Sequence, residues 1–289
     1  MDLFSQIEHT ERDELLSLRR ELEEANYQYY VLNMPTLSDY AYDQKLRRLQ
    51  ELETLYPDMY DAQSPTQHVG SDLKEVKRRK GEKVKGFEQV AHKYPMLSLS
   101  NTYSQEEVEE WLKKLPDNTE IVCELKYDGL SISLWYENGI LTKALTRGDG
   151  TKGDNVIENI KTIAAIPQQI GTPESEIPIA KNFLELRGEV LLSWEAFERL
   201  NQEREAQGDA LFANPRNAAS GTLKLQDPNE VARRGLDCYL YYMLGENLPA
   251  DTHYERLQIA KQWGFPISDA VKVCRSLEEV MAYIHYWDT

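Results

Sequence analysis

Residues 123–129 read CELKYDG and place an amine, Lys126, two positions before an acid, Asp128, and a glycine. An apolar lead, Ile121 and Val122, comes before them and an alternating run, LSISLWY, follows. The pattern sets Lys126 where a buried strand should end. A protonated lysine is a weak nucleophile. Desolvation or nearby positive charge frees the amine, which can then attack carbonyl carbon or phosphorus. K-x-D-G alone is weak support, since ordinary residue usage produces it by chance in roughly one chain in fifteen of this length. A strand-end lysine that snorkels beside an Asp-Gly turn would need no chemistry at all.

Further stretches carry residues suited to a phosphorylated ligand. TRGDGTKGD (146–154) packs three glycines, Arg147 and two aspartates between a strand and a helix. It reads either as a plain turn or as a backbone cradle with Arg147 aimed at a phosphate or ribose. LRGEV (186–190) puts Arg187 and Glu189 on one face of an otherwise apolar strand, where charges need partners or a ligand. FANPRNAASGTLK (212–224) surrounds Arg216 with small residues that suit close backbone approach to a ligand. YLYYM (239–243), with Tyr241 at its centre, offers rings that either stack a base or pack in a sheet. Nearer the N-terminus, Asp39 and Asp43 lie four apart on one helical face with Tyr42 beside them. Like charges at that spacing repel slightly, and a cationic ring would relieve the repulsion and be favoured by the tyrosine. Solvated acids beside a core tyrosine are the plainer alternative.

The elements that must position these residues fall into two groups. Leu15, Leu18, Leu22, Ala25, Tyr29 and Leu32 repeat at three- and four-residue spacing and predict a helix over 10–32, stopped by Pro35. Ser38 caps a second helix from Asp39 to about Tyr56, with Tyr42, Leu46, Leu49 and Leu52 along one face. QSPTQHVGS (63–71) is turn-rich and KEVKRRKGEKVKG (74–86) is basic and poor in apolar residues. We place a boundary there, giving a helical domain over 1–75 and a second domain over 76–289; the basic run reads as a solvated linker or a DNA-facing patch.

The second domain mixes periods. TEIVCELKY, LSISLWYE, ILTKALT, FLELRGEVLL and LDCYLYYML are strand-like, and Asn138-Gly139 signals a hairpin. Segments 154–163, 193–205, 253–263 and 276–287 are helix candidates, the last with Ser276 and Glu279 at capping-box spacing. Hairpins mixed with helices predict an α+β domain of antiparallel sheets. No Walker-type loop occurs, which argues against a P-loop site.

Composition bounds the setting. Of 289 residues, 41% are hydrophobic and 28% charged, which is ordinary for a globular protein. No long apolar run or secretory leader is visible, so no membrane association is expected. Cys123, Cys238 and Cys274 are far apart and read as reduced thiols in a cytoplasmic protein. The formal net charge of −16 argues against non-specific nucleic-acid binding by the chain as a whole.

Taken together, CELKYDG, TRGDGTKGD, LRGEV, FANPRNAASGTL, PMLSL (95–99) and YQYYVLNMPTLSDYAYD resemble the N-terminal part of bacterial NAD-dependent DNA ligases. Tyr241 and WGFPISD (263–269) agree with the same pattern, so the likeness covers nearly the whole chain. It implies a helical subdomain that recognises the nicotinamide mononucleotide (NMN) half of NAD. A nucleotidyltransferase domain, ATP-grasp-like, would follow. It also implies that Lys126 attacks the α-phosphate of NAD, releasing NMN and keeping AMP as a phosphoramidate. By the same resemblance Asp128 orients the lysine or helps bind metal, and Glu124 contacts the adenine. Arg147 and Glu189 hold the ribose and phosphate side, Ser98 and Leu99 line the adenylate pocket, Arg216 belongs to it, and Tyr241 stacks on adenine. Tyr29, Tyr30, Asp39, Tyr42 and Asp43 would bind NMN. Many relatives carry histidine at the place of Tyr30, and arginine is frequent at the place of Lys224.

The resemblance further implies Mg²⁺, a monomer, and nicked double-stranded DNA engaged through domains absent here. The family's next lysine-bearing motifs are also absent, so a fragment is expected, incapable of sealing nicks alone. Two alternatives stay open: a non-catalytic NAD- or NMN-binding module, and an ATP-using nucleotidyltransferase that shares K-x-D-G. The acid- and tyrosine-bearing hairpin speaks against the latter.

Overall fold

The computed structural model describes residues 3–30, 36–62, 64–67, 86–171 and 183–288; the side chains of 3–9, Tyr27, Tyr29, Tyr30 and Asp39 lie outside the described set. Contacts divide the chain into two compact units, Met1–Met96 with Gly148–Gly153, and Leu97–Arg147 with Asp154–Thr289.

In the first unit, helices α1 (Leu3–Tyr30) and α2 (Asp39–Leu55) form where the apolar spacing predicts them. Ser38 caps α2 by accepting from the Ala41 amide at 3.2 Å. The stripes bury Leu15, Leu18 and Leu22 against Leu49, Leu52 and Tyr56, with Tyr42 and Leu46 packed on the edge. A polar tie crosses the hairpin. Arg19 donates to Glu53 through Nε at 2.9 Å and Nη2 at 2.7 Å, and Glu53 also accepts from the Ser64 and Thr66 hydroxyls. The linker expected around residue 75 lies outside the described residues. A short ladder joins β1 (Gln89–Ala91) to β5 (Lys152–Asp154), extended by the His92 amide on the Thr151 carbonyl and the Met96 amide on that of Gly150, both at 2.8 Å.

The second unit is built on an antiparallel sheet of order β4 (Ile140–Thr146), β3 (Leu130–Glu137), β6 (Phe183–Leu191), β7 (Asp237–Gly245). Asn138 (φ 52°) and Gly139 (φ 77°) turn β3 into β4, the left-handed pair that a two-residue hairpin needs. One sheet face is apolar: Ile132, Leu134, Tyr136, Leu186, Val190, Leu240 and Met243 are buried. Helices α4 (Ile157–Ile160) and α6 (Pro215–Leu223) cover it with Ile160, Ala218, Ala219 and Leu223. Around them lie α5 (Trp194–Gln207), α7 (Pro228–Arg234) and α8 (His253–Gln262).

A smaller pair, β2 (Ile121–Cys123) with β8 (Lys272–Cys274), packs with α3 (Gln105–Leu112) and α9 (Leu277–Trp287) around Val108, Cys274, Val280 and Tyr283. The α+β class is as expected. Among the described residues no helix is long and apolar enough to cross a membrane.

Local expectations needed revision. The strand read over TEIVCELKY ends at Cys123, because β8 offers only three residues opposite it. The helix read over 154–163 shrinks to Ile157–Ile160: the Val156 amide still bonds the Ala144 carbonyl, holding the chain on the sheet edge until there. FANPRNAASGTLK is largely helix α6, capped by Asn214 on the Asn217 amide with Pro215 in the first turn.

Candidate active site

The second sheet face is polar. Strand alternation sends Ser131 and Ser133 of β3, and Glu185, Arg187 and Glu189 of β6, to the same side. Register sets Ser131 opposite Glu189 and Ser133 opposite Arg187. Glu185 is fully buried; its Oε1 accepts from Arg187 Nε at 2.6 Å and from the Ser133 hydroxyl at 2.8 Å. Trp135 Nε1 donates to the same Ser133 oxygen at 2.9 Å. A bulge in β7 opposite Arg187 and Gly188 adds Tyr241 to the row, an irregularity of the kind that re-aims side chains beside sites.

Residues 124–129 cross the end of this face between β2 and β3. Exposure alternates: Lys126 and Asp128 are exposed, Tyr127 is half-buried and Gly129 buried. Leu125 packs into the cluster around Cys274 and Tyr283. Lys126 makes no hydrogen bond or ion pair among the described residues, so its amine is presented to solvent on a fixed span. Asp128 Oδ1 lies 3.1 Å from Arg216 Nη1, which brings α6 to the motif. The Gly129 amide donates to Glu189 Oε1 at 3.3 Å and the Ser131 hydroxyl to Oε2 at 2.9 Å. The motif's glycine has a steric cause: a Cβ there would sit 2.1 Å from the Val190 carbonyl oxygen.

Electrostatics follow burial. Desolvation pushes the Glu189 carboxyl up to about 7, although the Ser131 hydroxyl, the Gly129 amide and the Lys126 ammonium all pull it down. The folded chain thus holds this proton more tightly than the unfolded chain, whose carboxyl titrates at about 4.3. Stability from this group is full below that value and declines until the pH passes about 7. Relative to Glu189→Gln, the wild-type thermal midpoint should therefore fall between roughly pH 4.5 and 7 and stay level above. A difference that rises over that window would contradict the assignment. Burial also pushes the Tyr241 phenol up to about 12; it faces the Ser131 hydroxyl, with Glu189, Arg187 and Arg147 nearby.

The remaining expected residues of this unit are placed as follows. Arg147 Nη2 donates to the Ser98 hydroxyl at 2.8 Å. Leu99 is 77% exposed, in a stretch that is neither helix nor strand. Glu124 Oε1 accepts from His253 Nε2 at 2.6 Å, and the His253 ring lies 5.4 Å from that of Tyr242.

In the first unit, the Tyr42 hydroxyl donates to buried Asn26 at 2.9 Å, and Asp43 is half-buried on the same helix. The side chains of Tyr29, Tyr30 and Asp39 lie outside the described residues. Among the described residues no three His, Cys, Asp or Glu side chains gather as a metal cluster.

Sequence reasoning overlooked His253, Tyr127, Ser268, Ser131, Ser133 and Glu185. The last three were detectable from alternation in LSISLWY and LELRGEV. The first three carry no local signal, because their partners are remote in sequence.

Comparison with known proteins adds the following. Residues 84–289 match the model of the NAD-dependent DNA ligase adenylation domain, and residues 8–70 that of the DNA ligase-like, N-terminal NAD+-binding domain. A DNA ligase of Parabacteroides distasonis is 55% identical over 276 residues, 94% of this chain and 39% of that protein. DNA ligases of Bacteroides fragilis (53% over 284 residues; 96% and 40%) and Christiangramia forsetii (50% over 275 residues; 94% and 39%) are similar in the same way. The chain thus spans about 40% of the length of the curated relatives it matches.

Proposed function

The chain belongs to the family of NAD-dependent DNA ligase adenylation domains, and from that premise we propose that it forms lysyl-AMP from NAD. The observation that carries this is Lys126, an exposed amine on a span fixed at Asp128 and Gly129, beside the Glu189 carboxylate and Arg216. The deprotonated amine attacks the α-phosphate; its N–P bond forms as the P–O bond to NMN breaks. The leaving group already carries its phosphate, so no water needs activating, and in-line placement with charge neutralisation does the work.

In this reading Asp128 orients the lysine and Glu124 meets the adenine, on which Tyr241 stacks. Ser98 and Leu99 line the pocket, and Arg147, Glu189 and Arg216 hold ribose and phosphate. Tyr29, Tyr30, Asp39, Tyr42 and Asp43 of the helical unit take the NMN half, the boundary between the two functions lying near residue 75, between the two matched stretches. Mg²⁺ suits this site: Asp128 is an exposed hard oxygen donor, and such an ion keeps most of its waters rather than needing a protein cage. When bound, it would neutralise phosphate charge.

The AMP then passes to the 5′-phosphate of nicked DNA in the longer enzymes, serving replication and repair. We place the protein in the cytoplasm as a monomer that meets DNA through other domains.

The test is intact mass after incubation with NAD and Mg²⁺. A gain of one AMP, suppressed by NMN but not by pyrophosphate, is expected. A gain of one AMP from ATP, suppressed by pyrophosphate, with none from NAD, would point to an ATP-using enzyme. No gain, with NAD still bound by calorimetry, would replace the reading with that of a non-catalytic NAD-binding module.

A further inference from the structure

The span that bears Lys126 lacks a strand ladder. β2 ends at Cys123 and β3 begins at Leu130, so residues 124–129 belong to no strand. An extended segment without ladder bonds opens readily unless side chains tie it down. Such a segment would spread the amine over many positions, and in-line attack tolerates little spread.

Tyr127, the variable position of K-x-D-G, points inward between the two outward residues and makes two specific contacts. Its ring stacks on that of Tyr239 with centroids 4.5 Å apart and planes 11° apart. Its hydroxyl lies 2.7 Å from the Ser268 hydroxyl. Both anchors belong to one rigid piece. Tyr239 is on β7, and the strap before Ser268 is fastened to β7 by the Leu240 amide on the Pro266 carbonyl at 2.9 Å and by a parallel bridge from Leu240 to Ile267. Ser268 is itself fixed, accepting from the Ala270 amide at 3.1 Å. Stacked tyrosines bury a large rigid surface with few rotatable bonds, which suits them to hold a geometry.

We propose that Tyr127 is a positioning residue for the Lys126 nucleophile, clamping the lysine-bearing span onto β7 through Tyr239 and Ser268. The inference rests on the reading of Lys126 as nucleophile for its consequence in rate, and stands on geometry alone for the clamp. The clamp acts on placement of the amine and leaves nucleotide contacts in place.

Two measurements on the full chain test it. The first is the single-turnover rate of lysyl-AMP formation as NAD is varied. Tyr127→Ala should lower the maximal rate by about 10²-fold, the scale of a misplacement near 1 Å, while half-saturating NAD changes by less than about twofold. Tyr127→Phe keeps the stack and should recover most of the rate. The second is hydrogen exchange of the Gly129 amide, which donates to Glu189, expected about tenfold faster in Tyr127→Ala with the amides of β3 and β6 unchanged. Unchanged exchange at Gly129, or a rate loss matched by a parallel rise in half-saturating NAD, would overturn the clamp. If wild type forms no lysyl-AMP, the proposed function fails while the exchange result still decides the clamp. If the alanine variant loses protection throughout, Tyr127→Leu, which keeps apolar bulk without the stack, decides in its place.

Discussion

Lys126→Arg should bind NAD within a few-fold of wild type and form no detectable adenylyl adduct. Arginine keeps the positive charge at the end of the span and can still neutralise a phosphate. Its guanidinium does not lose a proton in proteins, so it has no lone pair to offer phosphorus. The expected loss exceeds about 10⁴-fold, since a positioned nucleophile is worth effective molarities of that order or more. Calorimetry separates this from Lys126→Ala, which also removes the charge and should weaken binding. An adduct that persists in Lys126→Arg, mapped to another residue, would remove Lys126 from the role and with it the reading of Asp128 and Gly129 as its supports.

Much of the fold could be read in advance where local signals agree with tertiary pairing. Ser38 before a three–four apolar stripe specifies α2, and Asn138-Gly139 between two alternating runs specifies the β3–β4 hairpin. Arg187 and Glu189 were expected on one face, and their register opposite Ser133 and Ser131 follows from the same alternation. Errors arose where a distant partner decides. CELKY has strand composition throughout, yet β8 pairs with only the first part of it, and the remainder is held by side chains instead. Small residues in FANPRNAASGTLK suggested backbone access to a ligand, and they hid a helix whose start at Asn214-Pro215 was written in the sequence. Glu124 meets His253 across 129 positions and Tyr127 meets Ser268 across 141, separations at which no pattern survives. The chemistry of the site was thus legible in residue types, while its mechanical support was not.

Arg187→Ala should be among the most destabilising single changes in this unit. Glu185 is fully buried, and Arg187 Nε holds its Oε1 at 2.6 Å. Its Oε2 has no hydrogen-bond partner among the described residues, so the carboxylate is already short of compensation. Removing one member of a buried pair leaves an uncompensated charge and costs about 3–5 kcal/mol. For a unit of this size that lowers the thermal midpoint by roughly 10 °C. Replacing both, as Glu185→Leu with Arg187→Met, takes the charge away as well and should return most of the loss. A double variant no more stable than Arg187→Ala would mean that Glu185 is not an ionised partner in the fold. The double variant also asks why an ion pair stands there at all. Arg187 lies beside the Tyr241 phenol, on the face that carries Glu189. If stability returns while lysyl-AMP formation stays slow, the pair serves to place the pocket's floor. If both return, Ser133, Trp135 and the bulge at Tyr241 suffice to place it, and the pair adds only a liability that apolar packing can replace.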